Sequence, residues 1–459
     1  MPSISSTTTI DTNRKIPRRP LGGVGDDSNN RLAKEVSIVG LGCSSFSNFF
    51  EDSSRSTIDL HTLTKAHPVV QEWIKTIHYA ILEAGINVLD TAPWYGHGSS
   101  EIVVGWALDE LLSSSPSSQK ELSQQQPIQR DDLVVNTKVG RYEADAQHQF
   151  DFSHSTTLRS VARSLHRLNC HYIDVLQLHD PEFAPSLTQL LDETIPAMLQ
   201  ARDKGYCKAL GLTGYPLETQ YQVFQATLDK FQTNIWDQAL TYGHFNLHDS
   251  SLIHQPLFPT STTTTKKQTY ADVLKEHNTK LLAAAPLSMG LLTTNTLPEW
   301  HPASDQLKQA CRKANEICTE CSSGNNDKDD EGGVVHLSAL AILNALSCPK
   351  IPCTLLGMKD IAQVKFATAL AQRYDSIDNT VRFEEGGNSN EEDKETIERV
   401  LKAILSSKEH AALARILDPQ TGPFCRHNNC WGWDGIGGAH EFWIKEVGKS
   451  VEHWQESEF

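Results

Sequence analysis

Eight short apolar segments recur along the chain and alternate with longer stretches whose apolar residues follow helical spacing. Residues 187–204 are one such helical stretch. Strands that alternate with helices form parallel sheets, and eight such units close into a barrel. The chain is therefore predicted to be an α/β protein, a (β/α)8 TIM barrel with an N-terminal hairpin before it. The predicted strands lie near residues 36–40, 86–89, 133–138, 173–180, 207–215, 235–242, 280–285 and 351–360.

Composition divides the 459 residues into three parts. Residues 1–30 are polar and are predicted to be a disordered leader that includes the start of the hairpin. Residues 31–380 hold the barrel, and residues 381–459 form a C-terminal extension with one amphipathic helix expected near 395–405. The end of the extension is rich in Gly, Trp and His, which fits either a tail over the barrel mouth or a surface extension. Polar insertions at 113–130, 259–267 and 322–333 are assigned to loops.

Charge and composition exclude several classes of function. The formal net charge of −16 argues against nucleic acid as a bulk partner. No apolar run is long enough to cross a membrane, and the N-terminus has no apolar signal segment, so a cytoplasmic location is expected. The ten cysteines show no paired CxxC motifs at zinc-site spacing, so no metal site is expected. The sequence leaves the oligomeric state open.

Ionisable side chains stand at or just after the ends of three consecutive predicted strands. Asp90 ends the second strand, and Tyr95 lies on the loop that follows it. Lys138 ends the third strand and His179 the fourth. Barrel geometry brings the carboxyl ends of all strands to one face, where barrel enzymes keep their active sites. Each residue alone has an ordinary structural explanation, such as an ion pair between Lys138 and Asp90, but four together indicate a site.

These four residue types suit hydride transfer at a carbonyl or alcohol carbon, which also requires a proton at the oxygen. A tyrosine hydroxyl can exchange that proton, although its ordinary pKa of about 10 is high for a base. A nearby ammonium, Lys138, is expected to lower the pKa of Tyr95, and Asp90 to hold the lysine charged and in place. A neutral His179 can donate a hydrogen bond to the substrate oxygen and orient it.

Four separated motifs, LDTAPWYG, VVNTKVG, LQLHD and PLSMGLL, resemble the aldo-keto reductase superfamily. The resemblance spans roughly residues 20–371. It implies a barrel enzyme whose catalytic set is Asp90, Tyr95, Lys138 and His179. It also implies a nicotinamide dinucleotide as the hydride carrier.

The resemblance assigns a cofactor site across four strand ends. Thr213 and Gly214 match the position that meets the carboxamide, and Tyr242 is placed to stack on the nicotinamide ring. The loop that wraps the pyrophosphate, for which an ordinary βα turn is the alternative, is matched by Pro286, Leu287, Ser288, Gly290 and Leu291. The adenosine end is matched by Gly357, Met358, Lys359 and Gln363. Gly357 and Gln363 stand where NADP-preferring members carry basic residues, so NAD is favoured and NADP stays possible through Lys359.

The segment PLSMGLLTTNTLPEWHPAS is most similar to the L-galactose dehydrogenases of plants and the D-arabinose 1-dehydrogenases of fungi. This similarity implies oxidation of an aldose at C1 to its lactone, on a path toward ascorbate or its five-carbon analogue. Tyr95 is then the general base. Trp94 is a candidate wall for the sugar, with core packing as its alternative.

Two other functions fit the same motifs. An NADPH-dependent aldehyde or ketone reductase uses the same four residues in the opposite direction. A non-enzymatic binding module, like the channel-associated members of the superfamily, is less favoured. The C-terminal extension leaves room for such a module.

Overall fold

The structure is a computed structural model. It describes residues 15–21, 31–32, 35–47, 63–113, 127–143, 145, 147–257, 268–297, 301–323, 333–377, 390–427 and 429–432. Most of the predicted leader, most of each polar insertion, the charged linker before residue 390 and the end of the chain after residue 432 lie outside the described residues.

Eight parallel strands form a closed barrel, which confirms the predicted fold class. The strands follow one another around the barrel in sequence order, and the last pairs with the first. They are almost fully buried, because helices cover the outer face of the parallel sheet and side chains fill its interior. The strands are β3 (Val39–Gly42), β4 (Val88–Asp90), β5 (Val134–Val139), β6 (Ile173–His179), β7 (Cys207–Gly214), β8 (Gln238–Tyr242), β9 (Lys280–Ala284) and β10 (Cys353–Gly357).

The predicted hairpin closes the amino-terminal end of the barrel. Strands β1 (Arg18–Pro20) and β2 (Glu35–Ser37) pair in antiparallel fashion. Leu21 and Val36 from this hairpin are buried in one apolar cluster with residues of five barrel strands. Val36 therefore belongs to the hairpin, and the first barrel strand begins later than the predicted residues 36–40.

Arg19 fixes the hairpin to the segment that leads into β10. Its buried guanidinium donates hydrogen bonds to the carbonyl oxygens of Leu346 at 2.7 Å, Cys348 at 3.0 Å and Ile351 at 2.6 Å. It also donates to the Tyr374 hydroxyl at 2.5 Å and lies 4.8 Å from the centre of that ring. Burying a guanidinium costs free energy unless its N–H groups have acceptors, and the two terminal nitrogens of Arg19 make four hydrogen bonds here.

Helices surround the barrel in the expected alternation. One difference concerns residues 187–204, predicted as a single helix, which contain a π-helical turn at Leu190–Thr194 before helix α4 (Ile195–Asp203). Pro196 in the first turn of α4 has no N–H to donate, which accounts for the change of hydrogen-bond pattern before it. Besides short helical turns at Leu187–Gln189 and Ser251–His254, the helices are α1 (Pro68–Leu82), α2 (Ser99–Ser113), α3 (His154–Arg167), α4 (Ile195–Asp203), α5 (Leu217–Phe231), α6 (Tyr270–Glu276), α7 (Asp305–Ser323), α8 (Leu337–Leu346) and α9 (Ile361–Gln372).

The extension adds two helices, α10 (Asn390–Ile404) and α11 (Ser407–Ile416), where the sequence predicted one. They are held against the barrel's helices by ion pairs. Lys350 bridges Asp272 at 2.7 Å and Asp393 of α10, and Arg373 donates to Glu409 of α11 at 2.9 Å. Among the described helices, none combines the length and apolarity needed to cross a bilayer.

Candidate active site

The barrel brings the predicted phenol, ammonium and carboxylate into direct contact at its carboxyl-terminal end. The buried Lys138 ammonium donates to Asp90 Oδ1 at 2.5 Å, to the Thr91 carbonyl at 2.8 Å and to the Tyr95 hydroxyl at 3.1 Å. Asp90 ends β4 and Lys138 lies near the end of the neighbouring β5, so the barrel register places their side chains together. The His179 ring stands edge-on to Tyr95, with ring centroids 6.2 Å apart.

A glutamine that the sequence did not single out completes the ion pair. Gln177 donates to Asp90 Oδ2 at 2.7 Å, so both oxygens of the buried carboxylate accept a hydrogen bond. Gln177 itself accepts from Gln238 at 3.5 Å. Asp90 thus has fixed partners on both sides, which orients it toward the lysine.

Burial and neighbouring charges set the protonation states of these groups. Burial opposes the Lys138 charge, but the attraction of Asp90 and Tyr95 outweighs it and raises the pKa of Lys138. Burial also raises the pKa of Tyr95 above its ordinary value, while Lys138 pulls it down only in part. The net direction is opposite to the one expected from the sequence, and Tyr95 is a protonated phenol at neutral pH. Burial lowers the pKa of His179 to about 3, so its imidazole is neutral.

A cation and an aromatic ring line the mouth beside Tyr95. The Arg141 guanidinium lies 3.5 Å from the centre of the Trp94 ring and donates to Asp180 Oδ2 at 2.7 Å. Asp180 has a left-handed φ of 52°, and its carboxylate lies 3.6 Å from His179 Nε2. Sequence reasoning missed Arg141 and Asp180, although both follow closely after strand ends.

A second carboxyl group, Glu182, lies beside Gly214. Its Oε1 accepts from the Tyr215 N–H at 3.2 Å. A Cβ at position 214 would stand 2.7 Å from Glu182 Oε2, so this position requires glycine while Glu182 holds its place. Burial, followed by the nearby Asp180 carboxylate, raises the pKa of Glu182 to about 8, and the group is mostly neutral at pH 7.

The residues expected to meet the nicotinamide lie at the same end of the barrel. Thr213 pairs with His179 in the register of β6 and β7, and Gly214 follows it. Tyr242 ends β8. Burial raises the pKa of Tyr242, and the negative charges that Tyr95 and Asp180 can carry act in the same direction.

The expected pyrophosphate loop has an unusual backbone. Ser288, Met289 and Gly290 have φ values of 50°, 52° and 94°, and consecutive residues of this kind can form an anion-binding concavity. The N–H groups of Ser288, Gly290, Leu291 and Leu292 donate to carbonyl oxygens within the loop, so these four amides are engaged there. The Leu287 and Met289 amides are not among these internal donors.

The loop expected at the adenosine end is held by hydrogen bonds between its own residues. The Lys359 N–H donates to Gln363 Oε1 at 2.9 Å, and Asp360 caps the following helix by accepting from the Gln363 N–H at 2.8 Å. Gly357 and Lys359 are exposed, whereas Met358 is buried. The Gln363 side chain is thus occupied within its own turn.

The described part of the extension ends at the barrel mouth. Cys430 forms an antiparallel bridge with Asp249, on the loop after β8. The Trp431 N–H donates to the His248 carbonyl at 2.8 Å, and a Cβ on Gly432 would lie 3.0 Å from the Tyr215 hydroxyl. These contacts place residues 430–432 beside the loops that follow β7 and β8, and the rest of the Gly-, Trp- and His-rich end lies outside the described residues.

The site therefore holds the Tyr95 phenol beside the fixed positive charge of Lys138, with the neutral His179 imidazole at the same end of the barrel. Such an arrangement exchanges a proton with a substrate oxygen. The loop with left-handed backbone at Ser288 follows β9 at the same end of the barrel.

Comparison with known proteins agrees with this geometry. The model of the aldo/keto reductase family matches residues 64–365. The L-galactose dehydrogenase of Arabidopsis thaliana is 32% identical over 364 residues, which cover 79% of this chain and 90% of that protein. The D-arabinose 1-dehydrogenase of Saccharomyces cerevisiae is 28% identical over 333 residues, covering 71% and 82%. A solved glycerol dehydrogenase from Gluconobacter oxydans aligns with 20% identity and a TM-score of 0.49, covering 82% of this chain and 94% of its own.

The family match covers well over half of the chain and includes all four strand-end residues. The family resemblance and the enzyme class inferred from the sequence motifs are therefore confirmed. By this match and by its fold, the chain belongs to the aldo/keto reductase family.

Proposed function

We propose that this protein oxidises an aldose of the D-arabinose or L-galactose type at C1 to the lactone, with NAD as hydride acceptor. The observation that carries the proposal is the Tyr95 hydroxyl held 3.1 Å from a buried ammonium that is itself paired with Asp90. The similarity to an L-galactose dehydrogenase and a D-arabinose 1-dehydrogenase supports the substrate class. A place in the making of ascorbate or its five-carbon analogue rests on that similarity alone.

In the proposed reaction, the proton of the anomeric hydroxyl passes to the Tyr95 oxygen in its phenolate form. The C1–H bond breaks with its electron pair, and the C1–O bond becomes the lactone carbonyl. A bound nicotinamide would supply the acceptor for that hydride. Lys138 stabilises the phenolate, and Asp90 keeps Lys138 charged at the required position.

His179 orients the substrate oxygen in this mechanism. Its pKa, lowered by burial to about 3, leaves the ring neutral, so one ring nitrogen carries a proton and the other does not. Such a ring can donate to the substrate oxygen without the positive charge that would compete with Lys138. Its ring centroid lies 6.2 Å from that of Tyr95, so both side chains border the same space.

NAD rather than NADP is the proposed cofactor because the adenosine end offers little positive charge for a 2′-phosphate. Lys359 is the one cation among the four matched positions, and it is exposed. The Gln363 side chain accepts from the Lys359 N–H and caps its own turn. The left-handed Ser288 loop fits the pyrophosphate that both cofactors share.

Trp94 is proposed as the wall against which the sugar ring packs. Replacing it in Trp94→Ala removes both this surface and the ring under the Arg141 guanidinium, 3.5 Å away. We expect the KM for the sugar to rise about tenfold, because losing roughly 1.4 kcal/mol of binding is a tenfold effect. The KM for NAD⁺ should change little, since Trp94 is not among the residues assigned to the cofactor. Steady-state kinetics with each substrate varied in turn measures both values, and a selective rise in the KM for NAD⁺ would contradict this assignment.

A panel of aldoses assayed with NAD⁺ and with NADP⁺ tests the proposed function. We expect NADH formation with an aldose, and lactone as the product by chromatography. Oxidation with NADP⁺ alone would overturn the cofactor assignment. No oxidation of any aldose, together with reduction of simple aldehydes by NADPH, would replace the proposal with a reductase.

The protonated state of Tyr95 favours the reductase as the second candidate, because a phenol is ready to donate a proton.

Oxidation and reduction differ in their pH dependence. Oxidation needs the phenolate, so its kcat should rise with pH until the phenol, whose pKa burial has raised, ionises. Reduction needs the phenol, so its kcat should stay level and fall only in strong base. Measuring kcat from pH 6 to 10 in both directions distinguishes them, and an oxidation rate that falls with rising pH would argue against Tyr95 as the base.

A further inference from the structure

Two histidines converge on Ser288 from outside its loop. His248 Nε2 lies 2.8 Å from Ser288 Oγ, and His301 Nε2 donates to the Ser288 carbonyl at 3.1 Å. His248 and Ser288 are both fully buried, and His301 is nearly so. Neither histidine was assigned a role by the sequence or by the proposed mechanism. The pair therefore needs an explanation of its own.

Ser288 occupies a backbone conformation that serine adopts rarely. Its φ of 50° and the φ of 52° at Met289 lie in the left-handed region, which costs free energy for residues with a Cβ. Such conformations persist when surrounding contacts determine them. The contacts from His248 and His301 are of that kind.

His248 also touches the extension, and its tautomer links the two contacts. Its Nδ1 lies 2.5 Å from the Trp431 carbonyl, which only accepts, so Nδ1 carries the hydrogen. Burial lowers the pKa of His248 to about 4, which leaves the ring neutral. Nε2 then has no hydrogen and accepts from the Ser288 hydroxyl. A continuous chain of hydrogen bonds therefore runs from Ser288 through His248 to Trp431.

The extension is anchored at the same place by its backbone. The Trp431 N–H donates to the His248 carbonyl at 2.8 Å, and the Ser250 N–H donates to the Asn429 carbonyl at 2.8 Å. The Asn429 amide also donates to the Leu417 carbonyl at 3.1 Å, which holds the turn that leads into this segment. We call residues 429–432 the C-terminal strap.

We propose that His248 is a positioning residue for the cofactor, and that the C-terminal strap, through His248, holds Ser288 and its loop in the conformation that receives the pyrophosphate. The inference rests on the proposed function, because it assumes that the chain binds a nicotinamide dinucleotide at that loop. It gives the C-terminal extension a part in cofactor affinity. It assigns no part in proton or hydride transfer to His248.

The test measures binding and loop dynamics on full-length protein. Titration with NAD⁺, followed by protein fluorescence, gives Kd for wild type and for His248→Ala, His248→Gln and Asn429→Ala. We expect His248→Ala to raise Kd about tenfold, as the loss of a buried hydrogen bond does. His248→Gln keeps an acceptor for Ser288 and should recover part of the loss. Asn429→Ala removes the hydrogen bond to Leu417. It also places alanine at a left-handed φ of 55°, a conformation that asparagine tolerates better, so it should raise Kd as well.

Hydrogen exchange and kinetics separate positioning from general stability. In His248→Ala, the Gly290 and Leu291 amides should exchange faster, while amides of the distant α3 should not. The KM for NAD⁺ should rise with kcat nearly unchanged. Arg415→Ala is the matched control. Arg415 lies on α11 of the extension, its exposed ion pair is with Glu320 of α7, and its loss should leave the Kd for NAD⁺ unchanged.

The outcomes distinguish this inference from the proposed function. A wild type that binds neither NAD⁺ nor NADP⁺ would overturn the proposed function itself. A wild type that binds, with His248→Ala binding equally well, would overturn the role of His248. If His248→Ala weakened NAD⁺ binding and Asn429→Ala did not, the proposed role of the C-terminal strap would be overturned.

Discussion

Tyr95→Phe should lower kcat for aldose oxidation by about a thousandfold or more, because it removes the atom proposed to take the proton. The ring stays, so its edge-on contact with His179 and its tilted contact with Trp94 are preserved. Lys138 keeps its hydrogen bonds to Asp90 and to the Thr91 carbonyl. The Kd for NAD⁺ should therefore change less than about threefold, which corresponds to under ~0.7 kcal/mol.

Tyr142→Phe is the matched control for Tyr95→Phe. Tyr142 is also buried and follows the end of β5, but its hydroxyl accepts from the Gly140 N–H at 2.8 Å. Losing that hydroxyl should cost stability and leave most of the turnover. Full activity in Tyr95→Phe would remove this phenol from the mechanism, whatever the control shows.

Lys138→Met should have the second largest effect, on rate and on stability together. The phenolate loses the ammonium that stabilises it, and we expect kcat to fall by at least about a hundredfold. Asp90 becomes a buried carboxylate without its cation, which costs about 3–5 kcal/mol of folding free energy. Lys138 and Asp90 are 1% and 2% exposed, so water cannot replace the lost partner.

A double variant separates the two consequences of losing Lys138. Asp90→Asn with Lys138→Met removes both charges of this buried pair, so urea unfolding should show that much of the lost stability is recovered. Turnover should stay low, because the phenolate still lacks its ammonium. Recovery of activity along with stability would mean that Lys138 acts only by holding the fold together.

The barrel was predictable because each strand is a short apolar segment, and three of the site residues stand at the carboxyl ends of such segments. Asp90, Lys138 and His179 stand at three strand ends, and barrel topology alone then predicts that they meet. The first strand was misplaced because only Ile38 separates β2 from β3, so the two strands look like one in the sequence. The distinction between them depends on which partner each pairs with, and local sequence does not carry that information.

The parts of the site that were not predicted depend on contacts between distant segments. Arg141 and Asp180 are 39 positions apart, and their contact joins the residues that follow two different strands. His248 and Trp431 are 183 positions apart, and no local pattern announces their contact. The direction of the pKa shift at Tyr95 was missed for a different reason. Its neighbours were identified from the sequence, but the depth of burial that outweighs Lys138 was not visible there.

Isotope transfer tests the central claim most directly. Wild-type protein is incubated with NAD⁺ and an aldose that carries deuterium at C1, and the recovered dinucleotide is analysed by mass spectrometry and NMR. The account predicts one deuterium at C4 of the NADH formed, with an equal amount of lactone. Turnover that leaves the deuterium on the sugar, or the absence of NADH with every aldose tried, would contradict it.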